Sequence, residues 1–253
     1  ICGRAGSKGV RNKNLKDFLG VPLVYYTIAA IALYQDKFAA NNKMDVTLNT
    51  DSEKLIELIK AQMSISVYTI KRDASLATDN IPKVAVVMDC LTRCEQHFGC
   101  IYDMVVDLDI TSPLRTAKDV SNAIETKRRR SDTDVVYSVT QSRRNPYFNM
   151  VKEENGFTVP VIASEFTTRQ QAPAIYDMNA SIYAYSPKAL RTKPSQGFFK
   201  SNCAAIKMMD TAVLDIDSEQ DFELMEVIAN HLFEVYPQFA SIRDKALSFM
   251  RKS

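Results

Sequence analysis

Residues 3–14, GRAGSKGVRNKN, carry glycines at positions 3, 6 and 9 among four cations, Arg4, Lys8, Arg11 and Lys13, with no acid. Glycine lets the backbone approach a ligand closely and exposes its N–H groups, and lysine and arginine neutralise phosphate oxygens. The chemistry such a loop offers is the holding of a polyphosphate; the bland alternative is an exposed turn with incidental cations. The spacing is neither G-x-x-x-x-G-K-[ST] nor G-x-G-x-x-G. Late in the chain, Asp215 and Asp217 stand two apart in LDIDSEQD. On a strand they would point the same way, and two carboxylates with a polyphosphate suit Mg²⁺. The same pair also reads as strand-end acids ahead of a helix cap at Ser218.

The elements that must position these residues alternate. Strands are expected at 46–50, 65–70, 104–110, 135–139, 182–185 and 213–217. Helical patterns lie between them, over 22–34, over 78–98 with Thr78, Asp79 and Asn80 as cap candidates, and after Ser218, which forms a capping box with Asp221. Alternation predicts an α/β fold, a mainly parallel Rossmann-like sheet with helices on both faces, whose ligands sit beyond the carboxyl ends of the strands. A strand should precede the opening loop, so the pattern calls for residues ahead of Ile1. The rhythm breaks between 141 and 177, an expected inserted subdomain. The main domain is then 1–140 with 178–253.

The bulk numbers exclude several classes. The 253 residues are 46% hydrophobic with a net charge of +2, so there is no global basic field for nucleic acid. No apolar run reaches membrane-spanning length, and five cysteines without a C-x-x-C pair suit a reducing cytoplasm rather than a zinc site. The basic run Lys127, Arg128, Arg129, Arg130 reads as a solvated helix end. His97 and His231, the only histidines, lie in helical patterns without a nucleophile partner. Cys90 and Cys94 read as packing residues.

Six ordered stretches resemble the CMP-sialic acid synthetases (acylneuraminate cytidylyltransferases): GRAGSKGVRNKN, TDSEKL, KRDASLATDN, TSPLRT, TRQQAPAIYDMNASIY and LDIDSEQD. The resemblance spans nearly the whole chain. It implies the nucleotide-diphospho-sugar transferase fold and transfer of CMP from CTP to a sugar acid, with Mg²⁺, in a homodimer whose inserted subdomains are exchanged. By the same resemblance Arg4, Ser7, Lys8 and Lys13 hold the triphosphate, with Lys8 stabilising charge at the reacting phosphates. Asn14 and Arg72 recognise cytosine beside Ala77 and Thr78. Asp215 and Asp217 bind the metal. Asp109, Thr111, Ser112, Arg169, Gln170, Gln171, Tyr176 and Asn179 line the sugar site, and Phe198 and Phe199 match its paired aromatics. Arg143, Arg144 and Arg169 are candidates to reach a partner's site, or else are charges on a dimer rim.

Four positions depart from the family pattern. Cys2 replaces a proline. Asp109 replaces a glutamine, and a carboxylate there would repel an acidic sugar unless a cation or proton compensates. Ala180-Ser181 replaces Gly-Ala after Asn179. Asp109 is expected to bind sugar hydroxyl or amide N–H groups or to pair with a cation; its plain alternative is a tie to local backbone or to Arg115. The competing functions are a nucleotidyltransferase for another sugar or base and a catalytically silent nucleotide-sugar binding protein.

Overall fold

The computed structural model describes residues 1–6, 10, 12–40, 42–62, 64–78, 80–192, 201–210 and 216–250. In chain order these form β1 (Cys2–Gly3), β2 (Asp17–Phe18), β3 (Val21–Pro22), α1 (Leu23–Phe38), β4 (Thr47–Thr50), α2 (Glu53–Ala61), β5 (Tyr68–Lys71), α3 (Lys83–Phe98), β6 (Val105–Leu108), α4 (Ala117–Arg129) and β7 (Val135–Gln141). There follow β8 (Val151–Glu154), β9 (Phe157–Pro160), β10 (Tyr176–Tyr185), α5 (Pro187–Thr192), β11 (Cys203–Lys207), α6 (Glu219–Val235) and α7 (Pro237–Met250).

Strands β1, β4 and β5 form a parallel three-stranded sheet. A second sheet has the order β11-β7-β10-β6, with β11 parallel to β7 and β10 antiparallel to both its neighbours. The period of two along these strands sends alternate side chains to opposite faces. Val136, Ile182, Ala184, Leu108 and Ile206 meet Val120, Ala123 and Ile124 of α4 and Ile31 of α1. Val135, Tyr185, Val105 and Tyr183 meet Val84, Val87 and Leu91 of α3 and Leu190 of α5. Helices therefore cover both faces, as the alternating pattern predicts. Helix α1 is buried over most of its circumference because α7 packs against it as well as α4. Among the described residues no helix is long and apolar enough to cross a membrane.

The capping box at Ser218 and Asp221 is present, and it opens α6. Three boundaries differ from expectation. Helix α3 begins at Lys83 with Pro82 as its cap, so Thr78 and Asn80 cap nothing there; residue 79 lies outside the described residues. A residue before proline is driven out of the helical region, so Ile81 cannot carry the helix backwards. Strand β5 starts at Tyr68, and Ile65 and Val67 pack on the core without joining the ladder. For the strand expected at 213–217, residues 213–215 lie outside the described residues, and Ile216 and Asp217 are not in a strand.

Strand β7 runs to Gln141 and β10 starts at Tyr176; between them the chain leaves the sheet and forms the β8–β9 hairpin. Strand β10 carries an irregularity between Met178 and Tyr183. There Ala180 takes φ 50°, a left-handed conformation that glycine adopts without strain.

Candidate active site

The ends of three strands open on one cleft. Arg4 follows β1, Arg72 follows β5 and Asp109 follows β6; Lys13, Asn14, Thr78, Lys83, Thr111 and Asp217 complete the part of the wall that matters here. The parallel ladder of β1, β4 and β5 aligns the ends that carry Arg4 and Arg72, and β6, at the edge of the second sheet, delivers Asp109 to the same cleft.

Gly3 is fixed by crowding rather than by a turn. A Cβ there would lie 2.7 Å from Ile110 Cδ1 and 2.8 Å from Leu55 Cδ2, closer than any side chain tolerates. Gly6, at φ 72°, makes the turn itself. The loop is pinned to the strand ends by the Ala5 N–H, which donates to Asp51 Oδ1 at 2.7 Å, and by Asn14 Nδ2, which donates to the Arg4 carbonyl at 3.1 Å. Lys13 reaches across to the segment before α6: its ammonium donates to the Ile216 carbonyl and lies 3.9 Å from Asp217 Oδ1.

Arg72 is buried and held by a relay of polar groups. Its Nε donates to Asn49 Oδ1 at 2.7 Å and its Nη2 to the Asn49 carbonyl at 2.9 Å. Asn49 Nδ2 donates in turn to Asp89 Oδ2 at 3.0 Å, and Arg93 Nε to Asp89 Oδ1 at 2.9 Å. A guanidinium has five donors, so Arg72 keeps others for the cleft it lines.

Asp109 pairs with a lysine, not with Arg115. Lys83 Nζ lies 2.7 Å from Asp109 Oδ2 and 2.7 Å from Asp107 Oδ2. Thr111 donates its N–H and its hydroxyl to Asp109 Oδ1, each at 2.9 Å. Burial pushes the Asp109 carboxyl up, but the Lys83 charge and hydrogen bond, helped by Thr111, outweigh it and hold the group well below the usual carboxylate range. Burial likewise works to lower the Lys83 ammonium, and the charges of Asp107 and Asp109 prevail and hold it well above its ordinary value. Arg115 is buried beneath them, brought down to about 10 by burial. It donates to the Asp109 carbonyl at 3.1 Å, to Thr27 Oγ1 at 3.0 Å and to the Ser181 carbonyl at 2.8 Å.

Of the residues expected in the site, Arg4, Lys13, Asn14, Arg72, Thr78, Asp109, Thr111 and Asp217 line this cleft. Ala77 closes the short turn beside Thr78. Ser112 and Asn179 are buried behind it. Ser112 Oγ donates to Ser181 Oγ at 2.7 Å, while Asn179 receives a hydrogen bond from Ser138 and sends one toward Met208 Sδ at 3.3 Å. Both side chains are thus spent on internal bonds.

Arg169, Gln170 and Gln171 lie on the exposed excursion instead, and Tyr176 is exposed at the start of β10, paired with Gln141. Arg169 lines a separate hollow with Arg143, Lys207 and Asp210, and Gln171 bonds its own turn through Thr167 and Thr168. Tyr176 lies under the Lys207 ammonium, 4.5 Å from its ring centre. Arg144 is exposed on the same excursion. Ser7, Lys8, Asp215, Phe198 and Phe199 lie outside the described residues. His97 stacks on Tyr68 with ring centres 4.0 Å apart, a packing role.

Sequence reasoning missed Lys83, Asp107 and Asn49. The available signal was Asp-x-Asp at 107 and 109, whose spacing puts both carboxylates on one face of a strand. A second was Lys83 in the first turn of a helix, where the helix dipole disfavours a cation.

The family model described as Cytidylyltransferase matches residues 1–235. The chain is 36% identical over 230 residues to a CMP-N,N'-diacetyllegionaminic acid synthase of Campylobacter jejuni subsp. jejuni serotype O:2, covering 90% of this chain and 92% of that protein. It is 30% identical over 246 residues to an N-acylneuraminate cytidylyltransferase of Streptococcus agalactiae serotype III, covering 97% of this chain and 54% of that longer protein. A CMP:2-keto-3-deoxy-manno-octonic acid synthetase solved with CTP shares the fold, with a TM-score of 0.63 at 14% identity over 91% of this chain and 96% of that one. Together with the strand-end cleft, the match over residues 1–235 establishes that this chain belongs to the cytidylyltransferase family.

Proposed function

We propose that the chain transfers CMP from CTP to the anomeric hydroxyl of a nonulosonic, sialic-acid-like sugar acid. The hydroxyl oxygen bonds to the α-phosphorus and releases its proton. The bond from that phosphorus to the bridging oxygen breaks, and its electron pair leaves with pyrophosphate. The observation that carries this reading is the convergence, in one cleft, of Arg4 and Lys13 with a fixed arginine, Arg72, and with Asp109. The names of the relatives at 36% and 30% identity support the substrate class.

In this reading Arg4 and Lys13, with Ser7 and Lys8 of the same loop, bind the triphosphate, and Lys8 stabilises charge as pyrophosphate leaves. Positioning and charge stabilisation are most of what such a transfer asks of a protein. Asn14 and Arg72 read the cytosine, with Ala77 and Thr78 beside it. Asp109 and Thr111 face the sugar, and Ser112 and Asn179 support them from behind. Arg169, Gln170, Gln171, Tyr176, Phe198 and Phe199 complete that side.

Asp217 fits a role at Mg²⁺: its side chain is exposed, lines the cleft and offers the hard oxygens that ion prefers. Asp215 and Asp217 would hold the ion, which when bound neutralises phosphate charge.

The inserted segment 141–177, set into a domain made of 1–140 and 178–253, would form a homodimer. Exposed Phe148, Met150, Val151, Phe157 and Ile162 on that segment support this. A soluble nucleotide substrate suits the cytoplasm. The test is pyrophosphate release from each of four nucleoside triphosphates with a panel of sugar acids, with and without Mg²⁺. Release only with CTP, a nonulosonic acid and the metal is the expected result; none with any pair would leave a binding protein.

A further inference from the structure

The pairing of Lys83 with two carboxylates is not explained by stability. A lysine in the first turn of a helix opposes the helix dipole, and burying a carboxylate beside a second one is costly. Asp107 is 2% exposed, and neither of its carboxylate oxygens has a well-directed hydrogen bond among the described residues; the Lys83 ammonium at 2.7 Å is its close ionic contact. Asp109 differs in one respect, that it opens on the cleft. Three of the four acceptor positions of its carboxylate are used, two by Thr111 and one by Lys83. Among the described residues one acceptor position on Oδ2 is left.

We propose that Lys83 is a positioning and specificity-determining residue, which fixes Asp109 as an acceptor for a neutral hydrogen-bond donor of the sugar acid, a hydroxyl or an amide N–H, with Asp107 as its buried counter-charge. This rests on the reading of Asp109 as a sugar contact. It also resolves the repulsion expected between Asp109 and an acidic substrate. With Lys83 and Arg115 the two carboxylates are balanced, and the substrate's own carboxylate is left to the cations elsewhere in the cleft.

The charged and titratable groups facing the pair are few. Lys83 and Cys90 approach from α3, Cys2 from β1, Tyr183 and Tyr185 from β10, and Arg115 from the turn before α4. Arg115 spends its donors on carbonyl and hydroxyl oxygens and touches neither carboxylate. Among the described residues Lys83 is therefore the cation bonded to the pair. Without it the two carboxylates share a site, and one must take up a proton near neutral pH.

The test uses the full chain and the best sugar acid of the panel, with kcat/KM measured from about pH 5.5 to 9. Lys83→Met should lower kcat/KM for the sugar about 10-fold or more at the acid end, adding an acid limb that the wild type lacks. The KM for CTP should change by no more than about 2-fold, since a lost sugar contact leaves nucleotide binding intact. Adding Asp107→Asn to Lys83→Met should move the limb to lower pH and recover part of the activity, because the repulsion of the second carboxylate is gone and the two Thr111 bonds still favour the Asp109 charge against burial. Lys83→Gln is the second variant should Lys83→Met unfold, with thermal unfolding as the check. Parallel losses for sugar and CTP, or a double variant no better than the single, would overturn the proposal. An unimpaired Asp109→Asn would remove Asp109 from the sugar site, and with it this proposal, while leaving CMP transfer standing.

Discussion

Arg72 and Asn49 are joined twice, Nε to the side-chain oxygen at 2.7 Å and Nη2 to the main-chain oxygen at 2.9 Å. The fork is thereby locked on β4 before any ligand arrives. Asn49→Ala removes one of the two bonds and frees the Asp89 carboxylate that Asn49 also serves. We expect KM for CTP to rise about 10-fold, with sugar KM little changed, because hydrogen bonds to charged groups are worth about 1.5–3 kcal/mol. Initial rates at varied CTP check this; an unchanged KM would separate Arg72 from nucleotide binding.

Lys13 lies 3.9 Å from Asp217 across the cleft mouth, and Asp217 is 83% exposed at its side chain. Asp217→Asn should raise the Mg²⁺ concentration needed for half-maximal rate while the melting temperature stays put. A magnesium titration decides between this and a surface acid, for which the curve would not move.

Ala180 sits at φ 50° where the family resemblance has glycine. Left-handed backbone costs a residue with a Cβ about 1 kcal/mol that glycine avoids. Ala180→Gly should therefore stabilise the fold, with calorimetry showing a rise of a few degrees; a fall would mean that the lost Cβ packing outweighs the strain.

The acid dependence of stability follows from Asp109. Its carboxyl is held below the ordinary range in the folded chain, so its contribution is full above the unfolded value of about 3.9 and fades as pH falls through the lower folded value. The melting-temperature difference between wild type and Asp109→Asn should be constant above about pH 5 and shrink below about pH 4. A difference that is flat down to pH 2 would show no such linkage.

The segment between β7 and β10 exposes Phe157 at 74% and Val151 at 65%. Light scattering at micromolar concentration should give a dimer, and Phe157→Lys with Val151→Lys should shift it toward monomer. A fully active monomer of the unaltered chain would count against a shared site.

Local chemistry was legible in the sequence. Glycine spacing and cations marked the opening loop, Ser218 with Asp221 marked the start of α6, and periods of two and 3.6 marked most strands and helices. These are properties of neighbours, decided by backbone sterics and short-range bonds. The tertiary structure alone decided which partner each charge would have. Asp109 had a candidate partner six residues away in Arg115, yet Arg115 is drawn beneath the strand to carbonyl oxygens, and Lys83, 26 residues earlier, reaches the carboxylate. The family resemblance put Ser112 and Asn179 among the sugar contacts, and the tertiary structure spends both side chains inward. The Lys83 pairing depends on where α3 settles on the sheet, which is set by the packing of Val84, Val87 and Leu91 rather than by the charges themselves.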